Sequence, residues 1–248
     1  MNAIKRYKLK NLLAVWPAHT VMTTHWLKQQ GITSENVKRY KASGWIESIG
    51  EGAFIRVNDK VDWKGAVFGL QKAKPNIFHV GGRTAMDLQG ASHYIRFGQD
   101  RPLIYTYGKT PLPKWMREYS IKLVHSTMLP PGVGIDDMSF GDVSLQVSSR
   151  ERAMLELIEG IGKLISFDEA NLIMQNMVTL RPDLVQSLLE LCSSIKAKRV
   201  FLFLAYRNQH NWYERVNLSK VDLGTGARQI VKKGHYDAMF KITYPKEV

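Results

Sequence analysis

The sequence predicts an α+β chain: an N-terminal winged helix-turn-helix, then a larger mixed domain whose second half is helical. Three observations carry that prediction. Basic residues crowd into the first third of the chain. A run of short helices there is followed by a glycine-turned hairpin. Beyond it, strand-like runs come first and helix-like runs second, in blocks, which indicates α+β rather than an alternating parallel array.

At 248 residues, with 44% hydrophobic and 23% charged residues, the composition is that of a globular protein with room for a sizeable core. Lys and Arg total 35 against 22 Asp and Glu, a net charge of +13. Residues 1–80 hold thirteen of the bases and five of the acids, so a third of the chain carries +8 of the excess. A positive field of this kind concentrates polyanions, and double-stranded DNA is the partner expected. Membrane is not, because the longest apolar run, Val200 to Tyr206, is far below the ~20 residues that a span needs. The apolar stretch after Lys5, Arg6, Lys8 and Lys10 is too short for a signal peptide. A single cysteine, Cys192, fits a reducing cytoplasm and reads as a buried thiol beside Leu184, Leu188 and Leu191.

Each N-terminal element has a local cause. Leu9, Leu12, Leu13 and Trp16 form one helical stripe, and Pro17 ends it. Thr23 or Thr24 caps a short helix through Trp26 and Leu27, which Gly31 closes. After the turn Gly31-Ile32-Thr33, Thr33 caps a helix from about Ser34 to Ser43, ended by Gly44. Val37 and Tyr40 face inward. Glu35, Lys38, Arg39 and Ala42 face outward, flanked by Ser34, Asn36 and Lys41. Arg39, Lys38 and Asn36 have the donors and acceptors to address base edges, while Ser34 and Lys41 suit phosphates. Trp45–Ile49 and Ala53–Val57, joined by Gly50-Glu51-Gly52, read as the wing, with Glu51 and Arg56 beside the DNA backbone. Asp62 caps a fourth helix carrying Trp63, Ala66, Val67 and Leu70. The break at Lys74-Pro75-Asn76 divides the chain into a winged-helix domain, 1–75, and a second domain, 76–248.

In the second domain, 77–80, 103–107, 121–125 and 143–147 read as strands, with a short helix over 84–89. Ser148 with Glu151, and Ser166 with Glu169, read as capping boxes of two helices. Pro182 starts a third, 198–207 forms a fourth, and the tail through Ile230, Phe240, Ile242 and Tyr244 is extended. Catalytic patterns are scarce, so no enzyme, cofactor or metal is expected. Gly81-Gly82-Arg83-Thr84 reads as a strand-to-helix turn, and Gly132-Val133-Gly134 and Gly224-Thr225-Gly226 as plain turns. Asp136, Asp137 and Asp142 read as a solvated loop. Glu156, Glu159, Asp168 and Glu169 read as exposed helix charges, and the seven histidines, His93 among them, lack metal-ligand spacing. Lys196, Lys198, Arg199, Lys232 and Lys233 form a second basic group, either nucleic-acid contacts or solvated charge.

The segments Thr23 to Thr33 and Tyr40 to Arg56, together with His79 to Gly90, Ser148 to Ala153, Thr179 to Pro182 and Asp222 to Gly226, resemble AbiEi-type antitoxins. That resemblance implies a type IV toxin–antitoxin system. The winged helix would bind repeats in its own promoter and repress the operon, while the larger domain opposes a nucleotidyltransferase-like toxin without a stable complex. The residues alone leave two other readings open: a ligand-sensing winged-helix regulator and a DNA-directed nuclease.

Overall fold

The computed structural model describes residues 3–91 and 101–246; His93, and the side chains of Lys5, Arg6 and Lys8, lie outside what is described. The chain opens with α1 (Ala3–Val15), β1 (Met22–Thr23), α2 (Thr24–Gln29) and α3 (Ser34–Ala42). The hairpin β2 (Ile46–Gly50) and β3 (Ala53–Arg56) follows, then α4 (Trp63–Ala73). β3 is central in a three-stranded antiparallel sheet of order β1-β3-β2, so the N-terminal segment is a winged helix, as expected. Thr23 and Thr33 accept from backbone N–H groups at the starts of α2 and α3, and Gly31 and Gly44 take φ of +71° and +68°. Trp16, Leu27, Tyr40 and Ile46 are buried beneath these elements.

The larger segment is built on a mixed five-stranded sheet of order β6-β5-β4-β8-β7, from β4 (Phe78–Val80), β5 (Leu103–Tyr107), β6 (Lys122–Ser126), β7 (Ile135–Phe140) and β8 (Val143–Ser148). The short helix α5 (Gly82–Leu88) follows β4 through the glycine turn. Four helices complete the layer: α6 (Arg150–Glu159), α7 (Phe167–Gln175), α8 (Pro182–Leu191) and α9 (Ile195–Arg207). Their hub is α6, buried from Glu151 through Ile158 and touching α5, α7, α8 and α9. The tail adds a small sheet, β9 (Arg228–Gln229), β10 (His235–Asp237) and β11 (Ile242–Tyr244). Cys192 is buried and free, and burial pushes its thiol up.

Several expectations are corrected. Asp136 and Asp137 lie in strand β7, which pairs with β8 through a turn holding Asp142, and not in a loop. The cap of α6 is Ser149, whose hydroxyl accepts from Arg152 N–H, while Ser148 turns inward. Ser166 does cap α7, but the Glu169 carboxylate pairs with Arg83 instead of closing the box. Lys198 and Arg199 are buried, not part of a basic face. Arg199 donates to the carbonyls of Leu223, Gly226, Gly224 and Lys241, at 2.6, 2.6, 2.9 and 3.2 Å, and so fastens the tail.

The two segments share one continuous core. Gln71 on α4 joins them: its Nε2 donates to Phe78 O (3.2 Å) and Gln146 O (3.0 Å), and its Oε1 accepts from Gln146 N–H (2.9 Å). On the other side of α4 the fit is backbone against backbone, since a Cβ at Gly69 would stand 2.2 Å from Val21 O.

Candidate nucleic-acid interface

The site is built on α3. Tyr40 is buried and Val37 packs against the core, which turns Ser34, Glu35, Lys38, Lys41 and Ala42 to solvent. The helix touches little beyond β2, so this face stands clear of the larger segment. Asn36 closes the N-terminal turn: its Oδ1 accepts from Thr33 N–H (3.1 Å) and from the Thr33 hydroxyl (2.9 Å). The acceptor end of that amide is therefore held in the cap, and the donor end is what it can offer a ligand. Arg39 is half-buried, its guanidinium 5.5 Å from the centre of the Tyr40 ring, and its Nη2 is buried with no hydrogen-bond partner among the described residues. Cation–π contact draws the fork against the Tyr40 ring, at the edge of the exposed face of α3. Lys38 and Lys41 are exposed, which leaves Lys38 able to reach a base edge and Lys41 a phosphate.

The hairpin is placed differently from a free wing. Glu51 is exposed at its turn, but Arg56 reaches back across the domain, where its Nη2 donates to Leu13 O (2.7 Å) near the end of α1. Unpaired carbonyls at a helix C-terminus accept such a cation favourably. Nothing in the side-chain pattern of Ala53–Val57 signals this long-range partner.

A second polar cluster, missed by sequence reasoning, lies inside the larger segment. Glu156 is buried, not exposed, and its carboxylate accepts four hydrogen bonds. Oε1 takes His79 Nε2–H (2.8 Å) and Arg152 Nε–H (2.8 Å); Oε2 takes Gly82 N–H (2.9 Å) and the Ser148 hydroxyl (2.9 Å). Burial disfavours the charge, but His79 and Arg152 outweigh it and hold the carboxyl down at about 2. Arg152 also donates to Pro130 O and Val133 O. Tyr105 stacks on His79, with ring centres 5.6 Å apart, and burial raises its hydroxyl well above the usual range. Each group of the carboxylate's shell is committed to its neighbours, which is the arrangement of a structural keystone. Elsewhere, Arg181 grips Glu151 and Asp136.

Among the described residues no three His, Cys, Asp or Glu side chains stand close enough to hold a metal ion, and no helix is long and apolar enough to cross a membrane.

A family model described as "Transcriptional regulator, AbiEi antitoxin N-terminal domain" matches residues 5–97. A second, "Transcriptional regulator, AbiEi antitoxin, Type IV TA system", matches residues 99–245. Among solved structures, the fold is similar to that of the RV2827C protein from Mycobacterium tuberculosis, with 12% identity and a TM-score of 0.61, over 98% of this chain and 92% of that one. No curated protein sequence matches the chain.

Proposed function

This chain belongs to the AbiEi antitoxin family of transcriptional regulators of type IV toxin–antitoxin systems, and on that premise we propose that it is a non-enzymatic autorepressor. Its segment 1–75 binds repeats in the promoter of its own operon. Its segment 76–248 opposes a nucleotidyltransferase-like toxin without holding it in a stable complex. The observation that supports DNA binding best is the free face of α3, where Ser34, Lys38 and Lys41 stand exposed opposite the buried Tyr40. Lys38, Arg39 and the Asn36 amide address the major groove; Ser34 and Lys41 hold phosphates. Glu51, exposed at the hairpin turn, stays outside the contact set, and Arg56 supports α1.

The test is an electrophoretic shift of the full chain on its own upstream duplex against a random duplex, across a salt series. The expected result is selective retention that weakens steeply with salt. Arg39→Ala should narrow the gap between the two duplexes, while Lys41→Ala should weaken both alike. Equal, weak retention of both duplexes by the unaltered chain would overturn the reading.

A second reading has one observation behind it. A cleft of about 640 Å3 is lined by Arg83, Arg101 and Lys122 with Asp87, Trp63 and Leu164; Arg83 is paired with Glu169, and Arg101 and Lys122 leave an excess of positive charge over Asp87 that suits a small anion. A regulator of that kind would show an anion-dependent change of operator affinity in the same assay.

A further inference from the structure

The hairpin behind α3 has the topology of a wing but not its reach. β3 pairs with β1 from its first residue, Ala53 opposite Thr23, so the turn at Glu51-Gly52 stands level with the start of α2. There Thr24 N–H donates to Gly52 O (2.8 Å). Gly50, at φ +152°, lies so close under the larger segment that a Cβ there would come within 2.9 Å of Trp115 Cβ. The tip is pinned, and Arg56 at the other end is turned to Leu13. What stays open is the joint between α3 and β2, and Trp45 occupies it.

Trp45 is 45% exposed, whereas Trp16, Trp26, Trp115 and Trp212 are all at 9% or less and Trp63 is half-buried. Its backbone is rigid. Gly44 N–H donates to Lys41 O (3.1 Å) and Trp45 N–H to Tyr40 O (3.0 Å), the paired bonds of a Schellman cap, and Val57 N–H donates to Trp45 O (3.2 Å). The indole makes no hydrogen bond among the described residues. A large aromatic with one N–H donor, presented on a fixed backbone one turn beyond Lys41, matches the surface of a deoxyribose with its phosphate oxygen.

Resting on the reading that α3 binds DNA, we propose that Trp45 is a DNA-contacting residue. It lies against the sugar–phosphate backbone at the rim of the groove that α3 enters, where a longer hairpin would place its wing. The contact adds affinity without charge and without sequence preference.

The experiment compares the full-length chain with Trp45→Ala, Trp45→Phe and Lys41→Ala by fluorescence anisotropy on the labelled upstream duplex across a salt series. Trp45→Ala should weaken binding about tenfold with the salt slope unchanged, because an uncharged contact releases no counterion. Trp45→Phe should stay within about threefold, and Lys41→Ala should flatten the slope by about one. Wild-type affinity for Trp45→Ala, with Lys41→Ala weakened, overturns the Trp45 contact and leaves DNA binding by α3 standing. Wild-type affinity for both overturns DNA binding by α3 itself. Should Trp45→Ala lower the melting temperature, tryptophan emission decides. DNA quenches the unaltered chain and loses that component in Trp45→Phe if the contact exists, and undiminished quenching in Trp45→Phe overturns it.

Discussion

Replacing Glu156 by Gln conserves the shape of a buried side chain that accepts four hydrogen bonds and removes only its charge and half its acceptors. All four partners are donors. If the new amide NH2 takes the place of Oε2, the Ser148 hydroxyl can turn to accept, but Gly82 N–H cannot. If it takes the place of Oε1, His79 can present a lone pair, but Arg152 Nε–H cannot. One buried donor is orphaned either way, and Arg152 loses its counter-charge. Losing one member of a buried ion pair costs about 3–5 kcal/mol. The depressed acidity gives a second route to the magnitude. A fall from 4.5 to about 2 is worth about 3 kcal/mol at roughly 1.4 kcal/mol per pH unit. Because the folded value lies below the unfolded one, that stabilisation is complete above about pH 5 and is lost as pH falls towards 2. Urea denaturation followed by circular dichroism should therefore show Glu156→Gln less stable by about 3 kcal/mol at pH 7. The deficit should shrink as both proteins are acidified. A loss under about 1 kcal/mol at pH 7, or a deficit constant down to pH 2, would refute the keystone role.

Two further outcomes follow from the same reasoning. Gln71→Ala takes a partner from Gln146 N–H, from the buried Phe78 carbonyl and from the half-buried Gln146 carbonyl; it should cost about 2–3 kcal/mol in urea denaturation and speed hydrogen exchange at the Gln146 amide, and unchanged exchange would contradict it. Arg199→Lys keeps the charge but offers three donors from a single point where a planar fork serves four carbonyls. It should lower stability by about 2 kcal/mol and open the tail to limited proteolysis first, and an unaltered cleavage pattern would count against it.

The elements of the winged helix were legible because their signals are local. Thr33 before an apolar-periodic run, Gly31 and Gly44 at the left-handed positions, and Asp62 ahead of α4 each act within four residues. The exposed face of α3 followed from the same periodicity. What sequence reading missed depends on contacts distant in the chain. β7 is an edge strand whose polar residues face water, so Asp136 and Asp137 carry no alternating signature. Glu156 looks like a surface charge because an amphipathic pattern presumes one wet face. From Glu151 to Ile158 α6 has none, and the charges in that stretch are buried because each finds a partner, Glu156 with Arg152 and Glu151 with Arg181. Arg199 reads as part of a basic cluster until residues 223–241 fold over it. Arg56 reads as a wing residue by position, yet its partner stands 43 residues away.

Only four residues, 74–77, separate α4 from β4, and Gln71 completes the hydrogen bonding of β8 as though it were a further strand. The two segments of this protein are thus one solid piece, with no tether on which the first could swing. A solid piece transmits load in both directions: whatever distorts β8 reaches the seat of α4, and whatever clamps α3 stiffens the sheet. On the proposed reading, linkage makes that exchange reciprocal, so occupancy of an operator by the first segment and the integrity of the second would draw on a single folding equilibrium. A damaged antitoxin would then also be a released repressor, and loss of protection and renewed synthesis would arrive as one event.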